Sequence, residues 1–208
     1  MVRRQARGLR RMESILDAAE DVIADVGYAQ ATTNAIAAQA GMSPGSLYQF
    51  FRNKEEILEA LFARYVRQLR DLWDTRLTAP DFVRLPLPKL IDQAIDTLVA
   101  FKSARPAFWT LFHGSAVPDR LAAVAAELHE EITGRLEGVF ASRAPELDAE
   151  RRTLLATMAV AMVRAAMPMV LTAKSDNGSD VLDELKRMLV AYLAPAVGMA
   201  AVPEISGS

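Results

Sequence analysis

Gly41-Met42-Ser43-Pro44-Gly45 spells G-x-S-x-G, the spacing that places a hydrolase serine on a strained strand-to-helix turn. Two features oppose that chemistry. The preceding residues read as a short Ala-rich helix instead of a strand, and the oxyanion hole needs the backbone N–H of the residue after the serine, which Pro44 lacks. Cysteine is absent, which removes thiolate nucleophiles, disulfides and Cys-based zinc sites and fits a reducing cytoplasm. The two histidines, His113 and His129, are far apart in sequence, with no carboxylates placed to complete a transition-metal site. No enzyme activity, metal or cofactor is expected. The residues that point to a partner are instead basic and polar. Arg3, Arg4, Arg7, Arg10 and Arg11 put five positive charges and no negative one into residues 1–11, although the whole chain has a formal net charge of −2. Charge distribution, more than the sum, is what an anionic partner meets.

The elements that must position these residues are helices. From Leu9, apolar residues at Met12, Ile15, Leu16, Ala19, Val22, Ile23 and Val26 follow the i, i+3, i+4, i+7 stripe of an amphipathic helix, which Gly27 stops. Thr32 and Thr33 offer an N-cap to a second, short helix through Ile36, Ala37 and Ala40, ended by Gly41. Ser43 caps a third, with Pro44 where a missing N–H does no harm, running through Leu47, Tyr48 and Phe51. Asn53 caps a long helix from Lys54 through Leu72, with Glu55 and Glu56 in the first turn where the dipole favours them. Residues 78–88, with Pro80, Pro86 and Pro88, read as a loop. Further helices are expected over Lys89–Ala104, Pro106–His113, Asp119–Ala141, Asp148–Ala173 and Ser179–Ala194, punctuated by prolines 106, 118, 145 and 195 and a turn at Ser175–Ser179. The chain shows no strand pattern or repeat, so the fold class is all-α.

Two short helices joined by a Gly-containing turn form the helix-turn-helix of DNA-binding proteins, whose second helix enters the major groove. Gly41-Met42-Ser43 is such a turn. Ala37 and Gly41 let the helices approach, Ile36 and Leu47 pack between them, and the second helix presents Ser46, Tyr48 and Gln49 on its polar edge. The words Thr32-Thr33-Asn34-Ala35-Ile36-Ala37, Ala40-Gly41-Met42-Ser43, Gly45-Ser46-Leu47-Tyr48 and Phe51-Arg52-Asn53-Lys54-Glu55, in this order, resemble the TetR family of bacterial repressors over about Leu9 to Leu61. The resemblance implies that Thr33, Ser46, Tyr48 and Lys54 contact phosphates and that Asn34, Gly45 and Gln49 read bases, with Thr32 and Ser43 at the helix starts in the same DNA-binding set. Hydroxyls and lysine are groups that hold DNA backbone, and Asn or Gln can bond adenine bidentately. Pro44 departs from the family, where Lys or another long polar residue is common, and Phe50 replaces a frequent His or Tyr. No contact is carried over to either position. The Arg-rich start is expected to act as a minor-groove or phosphate arm.

The rest resembles the family only in being helical and of suitable length. Phe101, Phe108, Trp109, Phe112 and His113, with Tyr65, Met158 and Met162, are the expected wall of an effector pocket for a small, largely apolar or aromatic molecule, because bundle pockets use adaptable Met and aromatic surface. The segment from Leu154 to Ala173 is about long enough to span a bilayer, yet Arg164 and Pro168 interrupt it near the middle, so it reads as a buried helix and no membrane is expected. A helix this apolar on all sides needs covering, and a second subunit provides it. Val160, Ala161 and Arg164, with Leu185, Met188, Leu189 and Tyr192 on the last helix, are the expected homodimer interface, Arg164 pairing with a carboxylate across it. The domain layout expected is 1–54 for DNA binding with the basic arm in 1–11, 55–200 for effector binding and dimerisation, and a flexible tail at 201–208. The resemblance implies a cytoplasmic, dimeric, ligand-responsive regulator, a repressor released from a pseudo-palindromic site on double-stranded DNA when effector moves the long helix.

Overall fold

The computed structural model describes residues 2–77, 79–105, 107, 119–172 and 177–201, and among these there is no strand. The chain divides into two compact units, Met1–Leu69 with Ala104–Ala125, and Arg70–Ser103 with Ala126–Ser208. The sequence boundary expected after residue 54 therefore falls inside a helix, most of which packs with the first unit.

In that unit, α1 runs over Val2–Gln30 with a break at Gly27, whose φ of 76° is a left-handed value that suits glycine. The Arg-rich start is thus helical backbone from Val2, so the expected helix begins earlier than Leu9. Thr32 caps α2 (Thr33–Gln39), and Gly41, at φ 64°, makes the turn to α3. Helix α3 holds only Pro44–Leu47. Tyr48 to Phe51 continue as a tighter turn, with Phe50 N–H and Phe51 N–H both donating to the Leu47 carbonyl at 2.9 and 3.1 Å, so the expected helix through Phe51 is shorter than its sequence pattern. α4 spans Lys54–Leu72. Asn53 Oδ1 accepts from Glu56 N–H at 2.8 Å, and the Glu56 carboxylate accepts from Arg52 N–H at 2.8 Å, which fixes the entry to α4.

The core is the apolar stripe read from the sequence: Ile15, Leu16, Ala19 and Ile23 of α1 close on Ile36, Ala37, Leu47, Ile57, Leu58, Leu61 and Phe62, all buried. Each Ile, Leu or Phe removed from water here contributes about 1.5 to 3 kcal/mol. One charged residue joins them. Arg64 of α4 is 6 % exposed and donates to three acids of α1, Glu13 at 3.3 Å, Asp17 at 2.6 Å and Glu20 at 2.8 Å. Positions 13, 17 and 20 lie on one helical face, so a single guanidinium spans them. Burial alone would lower the basicity of Arg64, but the bonds from Asp17 and Glu13 and the charges of Asp17 and Glu20 raise it overall. Next to it, the buried Tyr65 phenol is pushed far above its usual range by burial and by the Glu20 carboxylate.

In the second unit, α4 ends in a π-helical turn, Trp73–Leu77, and the expected loop over 78–88 contains a short α5 (Pro80–Val83) and the start of α6 (Leu87–Ser103). α7 (Asp119–Arg143), α8 (Ala149–Thr172) and α9 (Asn177–Val197) follow. α9 packs on α8 and α6. It runs through Pro195, which was expected to end it; the ring gives up the bond to the carbonyl four residues back, and the helix closes two residues later at Val197. Arg70 and Glu131 pair bidentately, and Arg135 pairs with Asp74 one turn further on, tying the end of α4 to α7. Arg143 donates to the carbonyls of Val83 (2.9 Å), Leu85 (2.7 Å) and Ala200 (2.8 Å), drawing the start of α6 and the end of α9 to the end of α7. Lys186 of α9 bridges Asp92 and Asp96 of α6 at 3.4 and 2.6 Å. Apart from the buried Ala107, the expected helix over Pro106–His113 lies outside the described residues, as does nearly all of the expected tail.

Candidate nucleic-acid interface

Thr32 Oγ1 accepts from Ala35 N–H at 3.1 Å, and Ser43 Oγ accepts from Ser46 N–H at 3.2 Å, so each hydroxyl closes the N-terminus of one short helix. The caps set where α2 and α3 begin and hence which side chains face out. Ser43 Oγ also lies 3.0 Å from Ser46 Oγ. The serine of G-x-S-x-G is therefore a helix cap preceded by α2 and a turn, and the hydrolase reading has no geometric support.

Buried Ile36, Ala37 and Leu47 hold α2 and α3 together, and across their open edge Thr33 Oγ1 lies 3.1 Å from the Tyr48 hydroxyl. Tyr48 remains 50 % exposed. Asn34, Gly45 and Gln49 are also exposed, while Thr33 and Ser46 are half-buried. A Cβ at Gly45 would meet nothing within 4 Å, so the chain's own packing does not require glycine there.

Lys54 is half-buried. Its ammonium donates to the carbonyls of Tyr28 (2.9 Å) and Ala29 (3.4 Å) and sits 4.4 Å from the centroid of the Tyr28 ring. A cation suits the carbonyl-rich end of α1, and an ammonium with three N–H groups still has one left after two carbonyls. The Tyr28 phenol is raised above its usual value by burial and by the charge of Glu55. Sequence spacing predicts Lys54 at the head of α4 but not its seat on Tyr28, because the two are 26 positions apart. Arg64 was missed for the same reason. Its three acids occupy one face of α1, and that i, i+4, i+7 spacing is the only signal that could have found it.

The other expected residues are more scattered. Tyr65 is buried in the first unit, and Phe101 is 7 % exposed in the second. Met162 is half-buried and Met158 lies open on α8. Phe108, Trp109, Phe112 and His113 lie outside the described residues. Of the expected interface, Ala161, Arg164 and Met188 are exposed, and Val160 and Tyr192 are half-buried. Leu185 and Leu189 are each 3 % exposed, already covered within their own unit with Leu193 and Val197 one and two turns on, which leaves them little surface for a second subunit. The open stripe on α8 is Leu154, Met158, Ala161, Ala165 and Met169, spaced to share one helical face. Ala149–Leu171 is the one span among the described residues long and apolar enough to cross a membrane, and only 22 % of its most apolar window is buried inside the chain.

Two family models match the chain: "Bacterial regulatory proteins, tetR family" over residues 15–61, and "Tetracyclin repressor-like, C-terminal domain" over residues 86–193. The fatty acid metabolism regulator protein of Bacillus subtilis is 37 % identical over 79 residues, 36 % of this chain and 41 % of that protein. The HTH-type transcriptional regulator BetI of Cronobacter sakazakii is 31 % identical over 135 residues, 64 % of this chain and 61 % of that one. The matches thus span about half the length of these curated relatives. Among solved structures, a TetR-family transcriptional regulator from Streptomyces coelicolor is 27 % identical with a TM-score of 0.65, covering 89 % of this chain and 99 % of that one. A transcriptional regulator FadR from Bacillus subtilis, in complex with stearoyl-CoA, has a TM-score of 0.59 at 21 % identity, covering 86 % of this chain and 98 % of that one. The second family model extends the likeness well beyond the motifs between Leu9 and Leu61, and with both halves matched the chain belongs to the TetR family.

Proposed function

We propose that this protein is a dimeric, ligand-responsive DNA-binding transcriptional regulator, acting as a repressor. The observation that carries the reading is the α2–turn–α3 pair, with its apolar side buried and Asn34, Gly45, Tyr48 and Gln49 exposed along one edge. In this reading the exposed edge enters the major groove, Thr33, Ser46, Tyr48 and Lys54 hold phosphates, and Asn34 and Gln49 read base edges. Gly45 lets the backbone approach DNA, which explains a glycine that packing does not need. The mutual bond of Thr33 and Tyr48 holds both hydroxyls in place before DNA arrives, lowering the ordering cost of binding.

Dimerisation is supported by the open apolar stripe of α8 and by exposed Met188 on the neighbouring α9. A symmetric dimer would set two recognition helices about 34 to 36 Å apart for successive major grooves of a pseudo-palindromic site. The effector is a small, largely apolar molecule. The stearoyl-CoA held by the Bacillus subtilis FadR structure joins an apolar acyl chain to an anionic coenzyme A group, so it supports only the apolar part of that ligand class. Effector favouring a conformation with mismatched spacing would release DNA, by an amount set by its differential affinity for the two states.

Sequence selection from random duplex DNA, with binding then titrated against salt, tests the proposal. Recovery of an inverted repeat bound with a steep salt slope is expected, and no enrichment would reject DNA regulation in favour of a protein-interaction role.

A further inference from the structure

The first turns of α1 stand outside the core. Ala6, Arg7, Leu9, Arg10 and Arg11 are all exposed, and from Ala6 onward the first buried residue is Ile15. A Cβ at Gly8 would meet nothing within 4 Å. Arg7, Arg10 and Arg11 fall at i, i+3 and i+4, within about 100° of one helical face. Among the described residues none of the three forms an ion pair. Arg10 Nε donates only to the Ala6 carbonyl of its own helix, at 3.2 Å. The acids that follow, Glu13, Asp17 and Glu20, are committed to Arg64. No acidic residue occupies the first turn of α1. An exposed cationic face with no packing role, on the same helix that packs against α2, calls for an anionic surface beside the helix-turn-helix.

We infer that the N-terminal turns of α1 form a helical phosphate clamp, in which Arg7, Arg10 and Arg11 lie along the DNA backbone flanking each half-site. This rests on the DNA-binding reading and deepens it. An extended arm would thread the minor groove and add base preference there. A rigid helix presenting three arginines on one face neutralises phosphates without reading sequence, and needs its helicity as well as its charge.

Four proteins, all full-length, test the inference on the duplex selected by the wild type: the wild type itself, the Arg7→Gln/Arg10→Gln/Arg11→Gln triple variant, Gly8→Pro and Gly8→Ala. The triple variant is expected to lose about 0.9 from the salt slope for each phosphate contact removed per chain, with base preferences and thermal midpoint unchanged. Gly8→Pro keeps every charge but breaks the helix, and is expected to weaken binding while leaving the core intact. Gly8→Ala is expected to bind as tightly as the wild type or up to about fivefold tighter. An unchanged slope in the triple variant overturns the clamp alone, as does wild-type affinity in Gly8→Pro, which would make the segment a flexible arm. Failure of the wild type to bind any duplex overturns both the clamp and the DNA reading beneath it.

Discussion

Thr33 and Tyr48 meet through hydroxyls that do nothing for the core, since both oxygens sit on the exposed edge of α2 and α3. Their removal should therefore act on binding and spare stability. Thr33→Val and Tyr48→Phe are each expected to weaken operator binding about three- to tenfold, the value of about 1 kcal/mol for one hydrogen bond, with an unchanged thermal midpoint. Fluorescence anisotropy on the selected duplex, beside a melting curve, measures both; a fall in melting temperature with affinity intact would contradict the assignment. A second residue carries a pH signature. Burial, and then the nearby charge of Arg164, depress the Lys102 ammonium to about 8. The unfolded chain holds that proton up to about 10.4, so between the two values the unfolded state binds more protons. Stability should rise with pH across that window by about 1 to 3 kcal/mol, and the rise should vanish in Lys102→Met. A denaturant series at pH 7, 8.5 and 10 checks the slope.

At the scale of elements, α1 packs on α2 and α2 on α3, and Arg64 ties α4 to α1, because three acids along α1 accept from one guanidinium. Replacing Arg64 by Met keeps the volume but leaves Glu20, the least exposed of the three carboxylates, without its cation. A loss of about 3 kcal/mol is expected, and part of it should return in the Arg64→Met/Glu20→Gln double variant. Urea midpoints decide the matter; additive losses would mean that the pair is not coupled. Helix ends were legible wherever a cap stood beside an apolar stripe, as at Thr32, Ser43 and Asn53. They were not legible at residues 78–88, where prolines suggested a loop and two helical pieces form, nor at Pro195, which lies two residues before the end of α9.

At the scale of the molecule, the open stripe of Leu154, Met158 and Met169 is the apolar surface that the proposed dimer would cover. Met158→Glu/Met169→Glu is expected to convert a dimer into a folded monomer in sedimentation velocity at micromolar concentration, and to weaken binding to the full inverted repeat far more than to a single half-site. A wild-type monomer under the same conditions would remove the dimer from the proposal. The sequence by itself determined the all-α class, the helix-turn-helix and its outward-facing residues, because periodicity, caps and turn chemistry act within a few positions of each other. It also marked α8 as too apolar to stand alone. Only the tertiary structure decided which side of α9 is spent inside the chain, burying Leu185 and Leu189 and leaving Met188 open, and only it brought Lys54 to Tyr28 and Arg64 to its three acids. Those contacts join residues tens of positions apart, and a local pattern cannot say which of two apolar faces a helix turns toward its neighbours.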